Sequence, residues 1–201
     1  LQRLADETGH QPGTLEKVMR LLDMLQEITR DPVLSERLVL KGGTALNVFH
    51  DRAPRLSVDI DLMFVGAADA DAMRAMRPEV DKRFREVVGA LGYAVQGTND
   101  EHSGQTYRVK YPGGFVKVDV SYLARVPMLE PEDRTCDFAD PPVSFPVLRL
   151  PELVAGKIKA MMERLVARDL FDLYRLGVAA PDLLEDPLAR ALAIRAMSTS
   201  D

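Results

Sequence analysis

The stretch 38-LVLKGGTALNVFHDRAPRLSVDIDLMF-64 decides how this chain is read. Its first residues, Leu38, Val39 and Leu40, make a short apolar strand, and Lys41-Gly42-Gly43 turns the chain. A helix is expected over 44–50, with Thr44 near its N-terminus. From 55 to 64 the residues alternate: Val58, Ile60 and Leu62 fall on one face of a strand, Ser57, Asp59 and Asp61 on the other. Carboxylates two residues apart on a strand point the same way. Beside a glycine turn and the positive end of a helix, they suggest a seat for a phosphate chain and its metal ions.

Working outward, residues 14–30 place Leu15, Val18, Leu22, Leu25 and Thr29 at helical spacing, and Asp31-Pro32 is expected to end that helix. Residues 69–91 are helical in pattern; Pro78 either kinks this helix or starts a second one, and Gly92 is its expected C-cap. Three strands are expected near 93–97, 104–111 and 115–123, with Pro112-Gly113-Gly114 as the hairpin turn between the last two. In the last strand Val116, Val118, Val120 and Tyr122 share one face, and Lys117, Asp119 and Ser121 the other. A third carboxylate therefore stands on a polar strand face. Residues 126–142 are rich in proline and acid and read as a loop, and 143–150 as a short strand. Pro151 opens a helix to about Val166, and RDLFDLYRLG forms another that ends at Gly177.

The 201 residues are 46% hydrophobic and 28% charged, which fits a soluble globular protein of one or two domains. No apolar run reaches the roughly 18 residues of a membrane span, so no membrane association is expected. Arg3, Asp6 and Glu7 interrupt any signal-peptide pattern. The chain starts at Leu1 without an initiator Met, so trimming at one or both ends is expected. The single Cys136 forms no internal disulfide, and His10, His50 and His102 make no ligand cluster, so a reducing cytoplasm is the default location. A net charge of −5 excludes indiscriminate nucleic-acid binding; RNA or DNA would need a local basic patch.

Two-metal phosphoryl transfer needs carboxylates converging on hard cations, and one or two per ion suffice when substrate phosphates supply the rest. Asp59, Asp61 and Asp119 have the strand parity for this. Each feature alone is weak, because Asp-x-Asp on a strand or a Gly-Gly pair usually has no such role. Their order along the chain (strand, Gly-Gly, helix, Asp-x-Asp strand, later Asp-bearing strand) is far more specific. Haloacid-dehalogenase-like phosphatases also carry strand-end aspartates, but Leu62-Met63 after Asp61 and the preceding Gly-Gly helix disfavour them.

The segment KGGTALNVFHDRAPRLSVDIDLMF resembles the signature of AbiEii/AbiGii-type nucleotidyltransferases, toxins of type IV toxin–antitoxin and abortive-infection systems within the DNA polymerase β-like superfamily. A second segment, LPELVAGKIKAMMERLVARDLFDLYRL, resembles the family's C-terminal motif. By resemblance, Gly42, Gly43 and Thr44 fall on the nucleotide-phosphate turn, flanked by Arg55 and Ser57. Asp59 and Asp61 fall on the metal pair, with Asp119 as the third ligand and a group that lowers the acceptor's pKa. Lys157 matches the family's phosphate-contacting lysine, and Asp169 and Asp172 its last acidic motif, beside Arg164 and Arg168. Read without the first motif, these same residues are an exposed charged stripe and helix-capping acids.

The expectation is an α/β (α+β) nucleotidyltransferase fold: a mixed, mostly antiparallel sheet flanked by helices, with a helical C-terminal lobe. Residues 1–125 would form the core, and 126–201 the lobe that completes the cleft. The resemblance implies transfer of a nucleoside monophosphate from an NTP to an acceptor hydroxyl with Mg²⁺ or Mn²⁺. It makes RNA, at the 3′ end of tRNA, the leading acceptor and a cognate antitoxin a possible partner. Transfer to a small molecule and a catalytically silent nucleotide- or antitoxin-binding protein are the alternatives.

Overall fold

A computed structural model describes residues 1–50, 55–101 and 103–198; His102 and the 51–54 part of the first motif lie outside them. The chain forms two compact units, Leu1–Pro127 with Pro131–Val147, and Met128–Glu130 with Leu148–Asp201.

In the first unit, helix α1 (Gln2–Thr8) precedes α2 (Pro12–Arg30), which buries Leu15, Val18, Leu21, Leu22, Met24, Leu25 and Ile28. Each of those larger side chains contributes about 1.5–3 kcal/mol by leaving water. Asp31 ends α2 and starts α3 (Pro32–Ser35), because its carboxylate accepts from the Val33 and Leu34 amides, both at 3.0 Å. Strand β1 (Leu38–Lys41) leads into a short helix, α4 (Gly42–Thr44), which continues as the π-helical turn Ala45–His50. Strand β2 (Ile60–Phe64) is followed by α5 (Ala70–Ala90), capped by Asp69. Pro78 is carried inside this one continuous helix, and Gly92 follows its end at φ 78°.

Strands β3 (Ala94–Glu101), β4 (Gly104–Tyr111) and β5 (Gly114–Ser121) form a meander. Gly113 makes the last turn possible at φ 97°. Strands β6 (Glu132–Cys136) and β7 (Val143–Val147) close the unit. Among the described residues the sheet has seven strands in the order β3-β4-β5-β2-β1-β7-β6. The β2/β5 and β1/β7 pairs are parallel and the others antiparallel, which is the mixed, mostly antiparallel sheet expected. Helices α2 and α5 cover the face formed by Leu40, Leu62, Val118 and Tyr107, where the Phe84 and Tyr107 rings stack at 4.4 Å.

In the first unit three sequence expectations change. The strand expected over 55–64 begins only at Ile60, because the last rung with β1 is Lys41 opposite Asp61 and the chain turns away at Gly42. Residues expected as a loop contain β6, a polar edge strand with little alternating signal, whose pairing is supplied by β7. Residues 131–147 consequently belong to the first compact unit.

In the second unit, α6 (Leu150–Arg164) and α7 (Ala167–Ala179) are joined by Leu165 at φ 47°. Helix α7 runs past Gly177, which keeps helical geometry while the Ala180 amide bonds the Leu176 carbonyl. Helices α8 (Pro181–Glu185) and α9 (Pro187–Ser198) follow, and Leu192 and Ala193 of α9 pack on Ala155 of α6.

Candidate active site

Lys41, Asp61, Asp119 and Thr106 form one row across β1, β2, β5 and β4. Lys41 is opposite Asp61, Asp61 opposite Asp119, and Asp119 opposite Thr106. Residues directly opposite in a sheet project from the same face, and here that is the face away from α2 and α5. A hollow of about 240 Å³ opens over this row, walled by Ser103, Gly104, Gln105 and Ser121.

The glycine turn is built around Asp61. Gly42 has φ 73°, and a Cβ placed on it would lie 2.1 Å from Asp61 Oδ2. The backbone must therefore take a left-handed conformation and also pass directly against the carboxylate, two demands that only glycine meets. Thr44 is fully buried, and its hydroxyl donates to the Asp59 carbonyl. This bond ties the turn to the chain entering β2. The Thr44 hydroxyl is thus turned inward, and the Gly42-Gly43 backbone is what remains at the site.

Electrostatics mark Asp61 as the centre. Burial pushes its carboxyl above the ordinary carboxylate value; Lys41 pulls it back, and the charges of Asp119 and Asp59 raise it further. Asp119 is held on both oxygens, Oδ1 by the Thr106 hydroxyl at 2.6 Å and Oδ2 by the Lys117 ammonium. The same bond to Asp119 raises the Lys117 pKa, against the effect of burial, with further support from the charges of Asp59 and Asp61.

These facts adjust the expected metal set. Among the described residues no three His, Cys, Asp or Glu side chains stand together closely enough to hold a metal ion. Asp59 precedes the strand, and Asp61 and Asp119 alone offer too few oxygens for an all-protein cage. The donor set fits a hard cation that takes carboxylate oxygen from Asp61 and Asp119 and most of its shell from substrate phosphates and water. Arg55 and Ser57 are half-buried in the segment before β2.

The C-terminal motif assembles within its own unit. The Lys157 ammonium, 8% exposed, lies 3.1 Å from Asp169 Oδ1 and 2.8 Å from Asp172 Oδ2. Arg164 adds a fork to Asp169 at 2.7 and 2.9 Å. Burial works against the Asp169 charge, but Arg164 and Lys157 together hold its carboxyl below the ordinary value. Arg168 is exposed. The motif residues are therefore brought together as a buried ion-pair cluster. Lys41, Thr106 and Lys117 are site residues that motif reading missed. Lys117 had a visible signal, since it shares a strand face with Asp119, and Lys41 directly precedes the glycine turn.

Residues 23–199 match the family described as nucleotidyl transferase AbiEii toxin, type IV TA system. The chain belongs to this family. Two solved structures of the antibiotic-resistance factor ANT(2″)-Ia share the AbiEii chain's fold at a TM-score of 0.56 and 14% identity. One is a solution structure covering 89% of this chain and 91% of its own, the other a crystal structure with adenylyl-2″-tobramycin covering 87% and 98%. No curated protein matches the chain. This AbiEii protein is a nucleotidyltransferase, an enzyme class that uses an NTP and a divalent metal, and the toxin of a type IV pair, which implies an antitoxin partner. No helix among the described residues is long and apolar enough to cross a membrane.

Proposed function

We propose that this toxin transfers a nucleoside monophosphate from an NTP to a hydroxyl at the 3′ end of RNA, with tRNA the foremost acceptor, and releases pyrophosphate. The row Lys41–Asp61–Asp119–Thr106 beneath the Gly42 turn carries the reading. The Gly42-Gly43 backbone lies where triphosphate oxygens meet amide donors, and the Lys41 charge neutralises part of what Asp61 and the phosphates bring together. Asp61 and Asp119, with Asp59 nearby, would hold Mg²⁺ or Mn²⁺, which would neutralise charge on the phosphates. Asp119, oriented by Thr106 and Lys117, accepts the hydrogen bond of the attacking hydroxyl and prepares it to lose its proton. Lys157, Asp169 and Asp172 act in this reading by holding the second unit's helices in place.

The test is incubation of the protein with Mg²⁺, each α-labelled NTP in turn, and total cellular RNA. Label is expected in RNA, and in tRNA first. Label absent from RNA but present on an added small-molecule acceptor overturns the acceptor assignment. Label on no acceptor with any NTP overturns the mechanism.

A further inference from the structure

We propose that the outer face of β4 and β5 is the track along which a single-stranded RNA end reaches Asp119, an inference that rests on the RNA acceptor proposed above. Strand alternation places Thr106, Arg108 and Lys110 of β4 on the same face as Asp119, Lys117 and Phe115 of β5. Their register is Thr106 opposite Asp119, Arg108 opposite Lys117, and Lys110 opposite Phe115. Successive rows on one face are about 7 Å apart. The cations therefore continue outward from the catalytic row for about 14 Å.

This ridge reverses the sign of the protein around it. The chain as a whole carries −5, yet Asp119 is the sole acidic residue of the two strands, and Arg108, Lys110 and Lys117 are all exposed. Among the described residues Arg108 and Lys110 have no carboxylate partner. The Arg108 guanidinium instead lies over the Phe115 ring, 3.8 Å from its centre, and the Lys17 ammonium is 5.6 Å from the same ring. Phe115 is 37% exposed although it is large and apolar. Stacking holds the guanidinium in place before any ligand arrives, so less side-chain freedom is lost on binding. Cations for phosphates, together with an aromatic ring and a planar guanidinium for bases, are the combination that holds single-stranded nucleic acid. The ridge joins the site at Lys117, which is bonded to Asp119. A small neutral acceptor would have no use for it.

The experiment compares the full chain with Arg108→Gln/Lys110→Gln and with Phe115→Ala. A fluorescein-labelled single-stranded RNA oligonucleotide is titrated by anisotropy over a range of salt, and NTP affinity is measured separately. The double variant is expected to lose at least about tenfold in RNA affinity. Its plot of log affinity against log salt should flatten by about 1.4, since each phosphate contact to a single strand contributes about 0.7. Phe115→Ala should weaken binding about tenfold at every salt concentration and leave the slope alone. NTP affinity should stay at the wild-type value in both. Lys110→Gln alone, a change at an exposed position off the ring, serves if the double variant does not fold. If the wild type labels and binds RNA and the variants match it in affinity and slope, the track is wrong and the RNA acceptor stands. If the wild type neither binds nor labels RNA, both are overturned.

Discussion

Gly42 passes so closely beneath Asp61 that a single added carbon would lie 2.1 Å from the carboxylate oxygen. Neighbouring strands join the turn and the acid in one rigid piece, and their fit is the tightest geometric demand in the site. Gly42→Ala must hold a left-handed conformation, at about 1–2 kcal/mol, and also push Asp61 aside. A displacement of about 1 Å costs on the order of a hundredfold in rate. Transfer assays should show that loss, with a modest fall in melting temperature; wild-type turnover would contradict the geometry.

Asp61→Asn should abolish transfer and raise the melting temperature at neutral pH in metal-free buffer. The folded carboxyl titrates above the ordinary value of 3.8, chiefly through burial. Between those two values the folded protein binds more protons than the unfolded one, so stability falls as pH rises through that window. Removing the charge removes the penalty. Thermal melts of both proteins from the ordinary carboxyl value up to neutral pH would check it; identical curves would count against the electrostatic account.

Thr106→Val tests the orienting bond to Asp119 at 2.6 Å. The fold should persist, since valine suits a strand. Activity should fall about 10–100-fold, the usual cost of losing a group that positions a ligand. An unchanged kcat would show that the bond positions nothing.

Lys157→Met should leave the Asp169 and Asp172 carboxylates buried without their cation. Breaking such a pair from one side costs about 3–5 kcal/mol, readable by urea denaturation. The Asp169 carboxyl is held below 3.8 by Arg164 and Lys157 in opposition to burial, so its stabilisation is complete above that pH and drains away as pH falls through the folded value. A variant of wild-type stability whose NTP affinity alone declined would return Lys157 to the phosphates.

Induced expression of the wild type should arrest growth, and Asp59→Ala or Asp61→Ala should relieve the arrest. Colony counts after induction read this directly. Arrest by an enzymatically dead variant would separate toxicity from transfer.

Local chemistry was legible from the residues themselves. The apolar spacing of α2, its end at Asp31, the alternation of β5 and the turn at Gly113 are all settled within a few residues of themselves. Motif resemblance added the fold. The tertiary structure decided what depends on strands meeting from far along the chain. It started β2 only at Ile60, because β1 has no residue left to pair beyond Lys41. It made an edge strand of the polar segment Glu132–Cys136 by laying it on β7. It set Asp61 beside Asp119 through a parallel pairing that spans 58 residues, and set Thr106 and Lys117 on the oxygens of Asp119. It also folded the C-terminal motif inward, so that Lys157 faces Asp169 and Asp172. Periodicity reports which face a side chain takes, but only register across the sheet determines which side chains share a row, and here the row is the site.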